Sequence, residues 1–479
     1  MQLTVTNALC ALALLSLSVT DAHMGRGFSM PTNDNMAANH LRRGLSRRAQ
    51  PSNAQEMASA NDAKVECEGG SNPAFSQLLK DYPKADKIAS IMDGDDQGRK
   101  VWEDIKSQKI IPNDVHKKAT TDKEHYEFSD EGYDADKDPD CWWSASTCTK
   151  PKHDRLQPDV SECPLPNSWG LSFDDGPNCS HNAFYDFLKE KELKATLFYI
   201  GGNILSTPLQ AQRGFAEGHD ICVHTWSHRY MTTLTDTQVF AELYYTMRII
   251  KDTMGVTPRC WRPPYGDVDD RVRAIATALG LRTMLWSDDT DDWNITPDGK
   301  SPTSKINSNY QNIIDQAKNG SLDTHGVGVL THELTDNTMN EFIKEYPKIE
   351  KAFKHVLPLS ACLNATHPYP EDGVSYPGAT AYIQGSRANG LPPMDNMPIN
   401  PSSALNISAL DQQTSAGGFS TAAAKASPDS GEETGKSKQG NKSTSSNAEK
   451  KDDNAAATLD VSVTLLAAFA SVIAAIVVL

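Results

Sequence analysis

WGLSFDDGPN, Trp169–Asn178, runs an apolar segment straight into two adjacent aspartates and a Gly-Pro turn. Trp169–Phe173 has the length and the turn-bounded apolar character of a buried strand. Asp174 and Asp175 then set two like charges side by side where that strand ends. A turn that caps a following helix accounts for Asp-Gly-Pro in ordinary terms, so the pair takes its meaning from the rest of the chain.

The pattern recurs downstream. Strand-like runs appear at Ala195–Ile200, Ile221–Val223, Arg259–Trp261, Arg282–Trp286, Val327–Leu330 and Val356–Leu359. Amphipathic helices fall between them, as over Thr235–Met254, where Val239, Leu243, Met247 and Ile250 recur on one face and Thr235 or Asp236 caps the start. About seven β-α units imply an α/β fold with a parallel sheet, most simply a (β/α) barrel, distorted or incomplete.

In such a barrel the functional groups gather in the loops after the strands, and the polar outliers of this chain fall there. The aspartate pair follows the first strand, HTWSH with His224 and His228 the third, RPPYGD with Arg262 the fourth, SDDTDDW the fifth and THE with His332 the sixth. Singly, each has a plain structural reading: paired histidines on a surface, an arginine in an ion pair, Trp293 and His332 in the core. Jointly they collect at one rim, and their chemistry closes. His224, His228 and Asp175 make a three-ligand divalent site with positions left for water and substrate. Asp174 remains as a general base, with the Arg262 fork to orient it. His332, held protonated by a carboxylate from residues 288–292, serves as a general acid.

FDDG, HTWSH, RPPYG, DDTDDW and LTH, in that order, resemble the five motifs of the metal-dependent polysaccharide deacetylases, carbohydrate esterase family 4 with its NodB-homology domain. Their surroundings, over about Pro164–Cys362, resemble those of fungal chitin deacetylases. The resemblance implies a (β/α) barrel, zinc or cobalt as cofactor, and hydrolysis of N-acetyl groups on chitin. It also implies that Asp174 is the base, that Asp175, His224 and His228 are ligands, that Arg262 orients Asp174 and that His332 is the acid. Trp293 and Leu330 resemble the walls of an acetyl pocket, and the Tyr265 backbone N–H an oxyanion donor. Four aspartates crowd the fourth motif; Asp289 fits the family spacing to Trp293 and is expected to tune His332. Two other readings stay open: a deacetylase of another polysaccharide such as peptidoglycan or xylan, and a wall-bound protein that grips chitin without catalysis.

The 479 residues are 38% hydrophobic with a formal charge of -16, which argues against nucleic acid or anionic lipid as partners. Residues 1–22 read as a secretory signal, with an apolar stretch from Ala8 to Val19 too short to span a bilayer. Cys10 leaves with it, and the remaining eight cysteines suggest disulfides alongside one or two buried thiols. Sequons stand at Asn178, Asn294, Asn319, Asn364, Asn406 and Asn441, the first two so near the motifs that glycans there are doubtful. The apolar tail after a polar spacer resembles a GPI-attachment signal with Asn454 as the attachment residue, so the expected site of action is the outer face of the cell membrane and the wall.

The expected organisation is a signal (1–22), a loosely ordered, propeptide-like extension (23–157), the catalytic domain (158–365), a disordered Ser/Thr/Pro-rich stalk (366–453) and the attachment signal (454–479), in a monomer. Within the extension, CWWSASTC (141–148) reads as a small disulfide loop whose tryptophans pack against the main domain or grip sugar rings.

Overall fold

The computed structural model describes residues 50–407, apart from 69–71, 122–126, 297–302, 401–403 and 406. The signal segment, Asn406, Asn441, Asn454 and the apolar tail lie outside the described residues.

β1 (Ser168–Gly176) is buried along its whole length. It is followed by β2 (Thr196–Tyr199), β3 (Asp220–Val223), β4 (Cys260–Trp261), β5 (Arg282–Thr283), β6 (Asp288–Asp289), β7 (Val327–Leu330) and β8 (His355–Pro358). The strands pair in parallel in the order β5-β4-β3-β2-β1-β7-β6, with β8 against the first half of β1. The two edges, β5 and β6, are consecutive in the chain. No ladder joins them among the described residues, but the link between them is stitched sideways: the Leu285 N–H donates to the Val160 carbonyl and the Ser287 N–H to that of Gly328. The sheet is the incomplete barrel expected. β6 was not anticipated, because two aspartates carry no strand signal; only register against Val329 and Leu330 makes them one.

Helices alternate with these strands: α1 (Asn182–Glu190), α2 (Pro208–Ala216), α3 (Asp236–Met254), α4 (Asp270–Ala278), α5 (Thr303–Asn319) and α6 (Asp336–Ala352). α3 starts at a Thr235/Gln238 capping box and stops at Gly255, whose φ of 82° suits the left-handed terminus. Its buried set exceeds the expected stripe, since Phe240, Tyr244, Tyr245 and Ile249 are fully buried as well. A helix apolar all round needs cover on its outer face.

Described residues between Met57 and Ile105 supply that cover, which corrects the loosely ordered extension over that part; residues 23–49 lie outside the described residues. Tyr82, Trp102 and Ile105 enter the main core with Met57, Phe75 and Leu78. The Trp102 ring meets Phe240 at 5.1 Å, and the Tyr82 hydroxyl donates to Asp252 at 2.6 Å. Each such ring contributes about 1.5–3 kcal/mol on burial. Residues expected in the stalk are packed as well: Tyr369, Val374 and Tyr376 are core residues, and the Tyr376 hydroxyl donates to the His219 carbonyl. Over Asp96–Ser107 the anchors follow a helical period, with Gly98, Trp102 and Ile105 buried at i, i+4 and i+7, a signal that the sequence reading missed.

All eight cysteines pair, as Cys67–Cys179, Cys141–Cys148, Cys163–Cys362 and Cys222–Cys260, so no buried thiol remains among the described residues. The first ties the N-terminal segment to the loop after β1.

Candidate active site and metal centre

Alternation along a regular strand sends neighbouring side chains to opposite faces, so Asp174 and Asp175 should diverge. The backbone prevents it. Ser172 and Phe173 pair with Thr196 and Leu197, but Gly176 pairs with Tyr199, so β1 spends one more residue than β2 across the aspartates. Asp175 takes φ 71° in this bulge. A left-handed aspartate costs on the order of 1 kcal/mol or more, strain of the kind that gathers at functional sites. The bulge is what lets both carboxylates serve one site.

His224 follows the last residue of β3, and the loop to His228 is held in two further left-handed turns, Thr225 at φ 64° and His228 at φ 53°. Positive φ at a β-branched threonine is an outlier, and its hydroxyl accepts the His228 N–H at 3.1 Å. The buried Glu242 carboxylate on α3 braces the loop, accepting the Trp226 and Ser227 N–H groups and the Ser227 hydroxyl, and it also accepts the Ala89 N–H from the N-terminal segment. Sequence reasoning missed this brace; a glutamate on an all-round apolar helix was its signal.

Asp175 Oδ1 lies 3.1 Å from His228 Nε2 and 3.4 Å from His224 Nε2. His224 Nδ1 contacts the Arg262 carbonyl at 2.8 Å; when it carries the proton, Nε2 is left as an acceptor. Buried Asp175 Oδ1 has no hydrogen-bond partner. Burial pushes the Asp175 carboxyl up, and the two imidazoles outweigh it, holding the group well below the usual carboxylate range. Two imidazoles and one orphaned carboxylate oxygen converging within 4.8 Å of one another are a donor set that fits a divalent cation. Aspartate with imidazoles suits zinc or cobalt chemistry better than calcium.

Asp174 Oδ1 accepts from Arg262 Nη1 at 2.7 Å, and that guanidinium also donates to the Ser172 hydroxyl and the Leu285 carbonyl, both at 3.1 Å. The guanidinium carbon sits 4.1 Å from the centre of the Phe198 ring, and Arg262 is wholly buried. Across the β1/β7 pairing, the Asp174 N–H donates to the Thr331 carbonyl and the Glu333 N–H to that of Asp174, so His332 emerges beside Asp174.

The partner of His332 is a correction. Asp289, expected there, accepts the Asp291 N–H at 2.7 Å and is pushed up to about 6 by burial. Asp292 instead meets His332 Nδ1 at 2.6 Å and accepts its backbone N–H at 2.9 Å. β6 fixes Asp289 opposite Leu330, and Asp291 at φ 57° turns the chain so that the next carboxylate passes beneath His332. Burial lowers the His332 pKa, but the Asp292 carboxylate, helped by Asp175 and Asp174, raises it to about 10.

Leu330 is buried at the end of β7, and Trp293 is half-buried in the turn after Asp292. Tyr265, at φ 58°, lays its ring edge-on to His228 at 4.7 Å and stacks on Tyr230 at 4.1 Å. Of the sequons, the Asn178 amide donates to the Leu334 carbonyl and its oxygen accepts from Ser180, while Asn364 accepts the Ala379 N–H. Asn294 is half-buried and Asn319 exposed.

A family model described as polysaccharide deacetylase matches residues 161–284. Chitin deacetylase 2 of Cryptococcus neoformans var. grubii is 48% identical over 332 residues, covering 68% of this chain and 71% of that one. The chitin deacetylase of Amylomyces rouxii is 51% identical over 242 residues, 50% of this chain and 56% of that one. The solved chitin deacetylase of Colletotrichum lindemuthianum is 21% identical, with a TM-score of 0.39 over 43% of this chain and 92% of that one. The chain belongs to the polysaccharide deacetylase family.

Proposed function

We propose that the protein hydrolyses the N-acetyl amide of N-acetylglucosamine units in cell-wall chitin, giving acetate and chitosan, with a divalent cation, zinc or cobalt, held by Asp175, His224 and His228. The observation that carries this reading is the convergence of two carboxylates, three imidazoles and an arginine at one rim, in a chain that is 48% and 51% identical to two chitin deacetylases over 68% and 50% of its length.

When bound, the cation supplies a Lewis acid for the amide carbonyl and acidifies water. Asp174 accepts the proton of the attacking water, with its other oxygen held by Arg262. The developing oxyanion takes a hydrogen bond from the Tyr265 backbone N–H. His332, kept protonated at neutral pH by Asp292, donates a proton to the departing amine. Leu330 and Trp293 wall the acetyl methyl.

Residues 1–22 direct secretion and the tail beyond Asn454 directs GPI attachment, placing the enzyme on the outer face of the membrane beside the wall. Four disulfides support an oxidising compartment, and no described helix is long and apolar enough to cross a membrane. Acetate release from N-acetyl chito-oligomers, measured with and without chelator and after zinc or cobalt is restored, tests the reading. Activity indifferent to chelation contradicts the cation's role, and hydrolysis of acetylated xylan or peptidoglycan alone contradicts the substrate.

A further inference from the structure

The disulfide loop Cys141–Cys148 lies upstream of the matched family region, residues 161–284, yet it packs onto the catalytic rim. Its two tryptophans have different fates. Trp142 is fully buried, and its Nε1 donates to Asp267 Oδ1 at 2.8 Å. Trp143 stays half-exposed, with its backbone N–H donating to the Val268 carbonyl.

The Trp143 ring lies on Gly266, where an added Cβ would come within 2.3 Å of it. Gly266 adjoins Tyr265, the assigned oxyanion donor. The Trp143 ring also meets that of half-exposed Trp286 at 4.8 Å and 61°, and Trp286 stands 5.9 Å from the Arg262 guanidinium that grips Asp174. Two half-exposed indoles therefore run outward from the base, Trp286 separated from Asp174 by Arg262 alone and Trp143 lying beyond Trp286.

The loop is also rigidly mounted. Buried Asp267 accepts from Trp142 and the Ser144 hydroxyl through one oxygen, and from the Thr232 N–H and hydroxyl through the other. One carboxylate thus fastens the disulfide loop, the turn after His228 and the Tyr265 loop together. A paired indole surface held this firmly, beside a site for an uncharged polymer, is matched in chemistry by the apolar face of a pyranose ring.

We infer that Trp143 and Trp286 form a platform for a sugar unit flanking the one deacetylated, and that Asp267 is the positioning residue that mounts it on the rim. This rests on the proposed function, since it assigns a subsite to that same substrate. A platform outside the bond-breaking centre acts on binding of longer chains, so it enters KM more than kcat.

The test is kcat and KM for N-acetylglucosamine, which lacks a flanking unit, and for N-acetyl chito-oligomers of increasing length, using the purified full chain and its Trp143→Ala, Trp286→Ala and Trp143→Tyr variants. For oligomers long enough to reach the platform, each alanine variant should raise KM roughly 3- to 10-fold, with kcat changed less, and Trp143→Tyr should restore most of the loss. Thermal unfolding checks that each variant folds; if Trp143→Ala does not, Trp286→Ala and Trp143→Tyr carry the test. Folded variants whose KM is unchanged, or rises equally at every chain length, overturn the platform. So does a fall in kcat at unchanged KM, which marks support of the Tyr265 loop instead. An unaltered protein that hydrolyses none of these oligomers refutes the proposed function and the platform with it.

Discussion

Replacing Asp292 by Asn separates the structure's assignment of the acid's partner from the sequence's. The substitution keeps one oxygen able to accept from His332 Nδ1 at the present 2.6 Å, and removes the charge together with the second acceptor, which now takes the His332 backbone N–H at 2.9 Å. With that charge the imidazole titrates at about 10; without it, the group falls toward the ordinary value of about 6.5. An imidazole of that pKa is about 3% protonated at pH 8, so turnover limited by the acid should fall roughly 30-fold there. At pH 6 it is about three-quarters protonated, and the loss should be under about 2-fold. The assay is acetate release from a chito-oligomer between pH 5.5 and 9, as the ratio of variant to unaltered enzyme, with Asp289→Asn alongside. The alkaline limb should move to lower pH in Asp292→Asn and stay in place in Asp289→Asn, whose side chain still caps the Asp291 N–H. A loss equal at every pH, or a larger shift from Asp289→Asn, refutes the reasoning.

Asp220 is buried beside Thr196 and pushed up to about 7, so the folded protein holds a proton that the unfolded chain releases above about pH 4. Its contribution to stability therefore declines between about pH 4 and 7 and is flat above. Asp220→Asn should stabilise the protein more at pH 8 than at pH 4, by on the order of 1.4 kcal/mol for each pH unit crossed between about 4 and 7; urea unfolding that gives equal differences at both pH values counts against it. Phosphatidylinositol-specific phospholipase should release the protein from cell membranes, and a mature form retaining Val461–Leu479 would disprove the anchor.

The strand ends were legible because apolar runs stop abruptly at charged or aromatic residues, and His224, His228, Arg262 and His332 each stand just past one. What the sequence could not carry was the path of the backbone at those ends. The bulge that turns Asp175 toward Asp174 depends on pairing with Tyr199, and the choice of Asp292 over Asp289 depends on pairing with Leu330, partners 24 and 41 residues away. Spacing to Trp293 held no information about either. The N-terminal cover was overlooked for another reason: Tyr82 is an isolated anchor, while Trp102 and Ile105 share one face of a short helix, Asp96–Ser107, in a mostly polar segment. A second hint was α3, whose outer face is too apolar for a surface helix.

The central claim is that the adjacent aspartates divide the work, Asp175 holding the cation and Asp174 taking the proton. Metal content measured beside kcat in purified Asp174→Asn and Asp175→Asn tests it most directly. Asp174→Asn leaves all three ligands in place, so it should keep its metal and lose turnover by about 10²- to 10⁴-fold. Asp175→Asn should lose metal, with activity partly restored by excess zinc or cobalt. An Asp174→Asn protein without metal, beside an Asp175→Asn protein that keeps both metal and rate, would contradict the account.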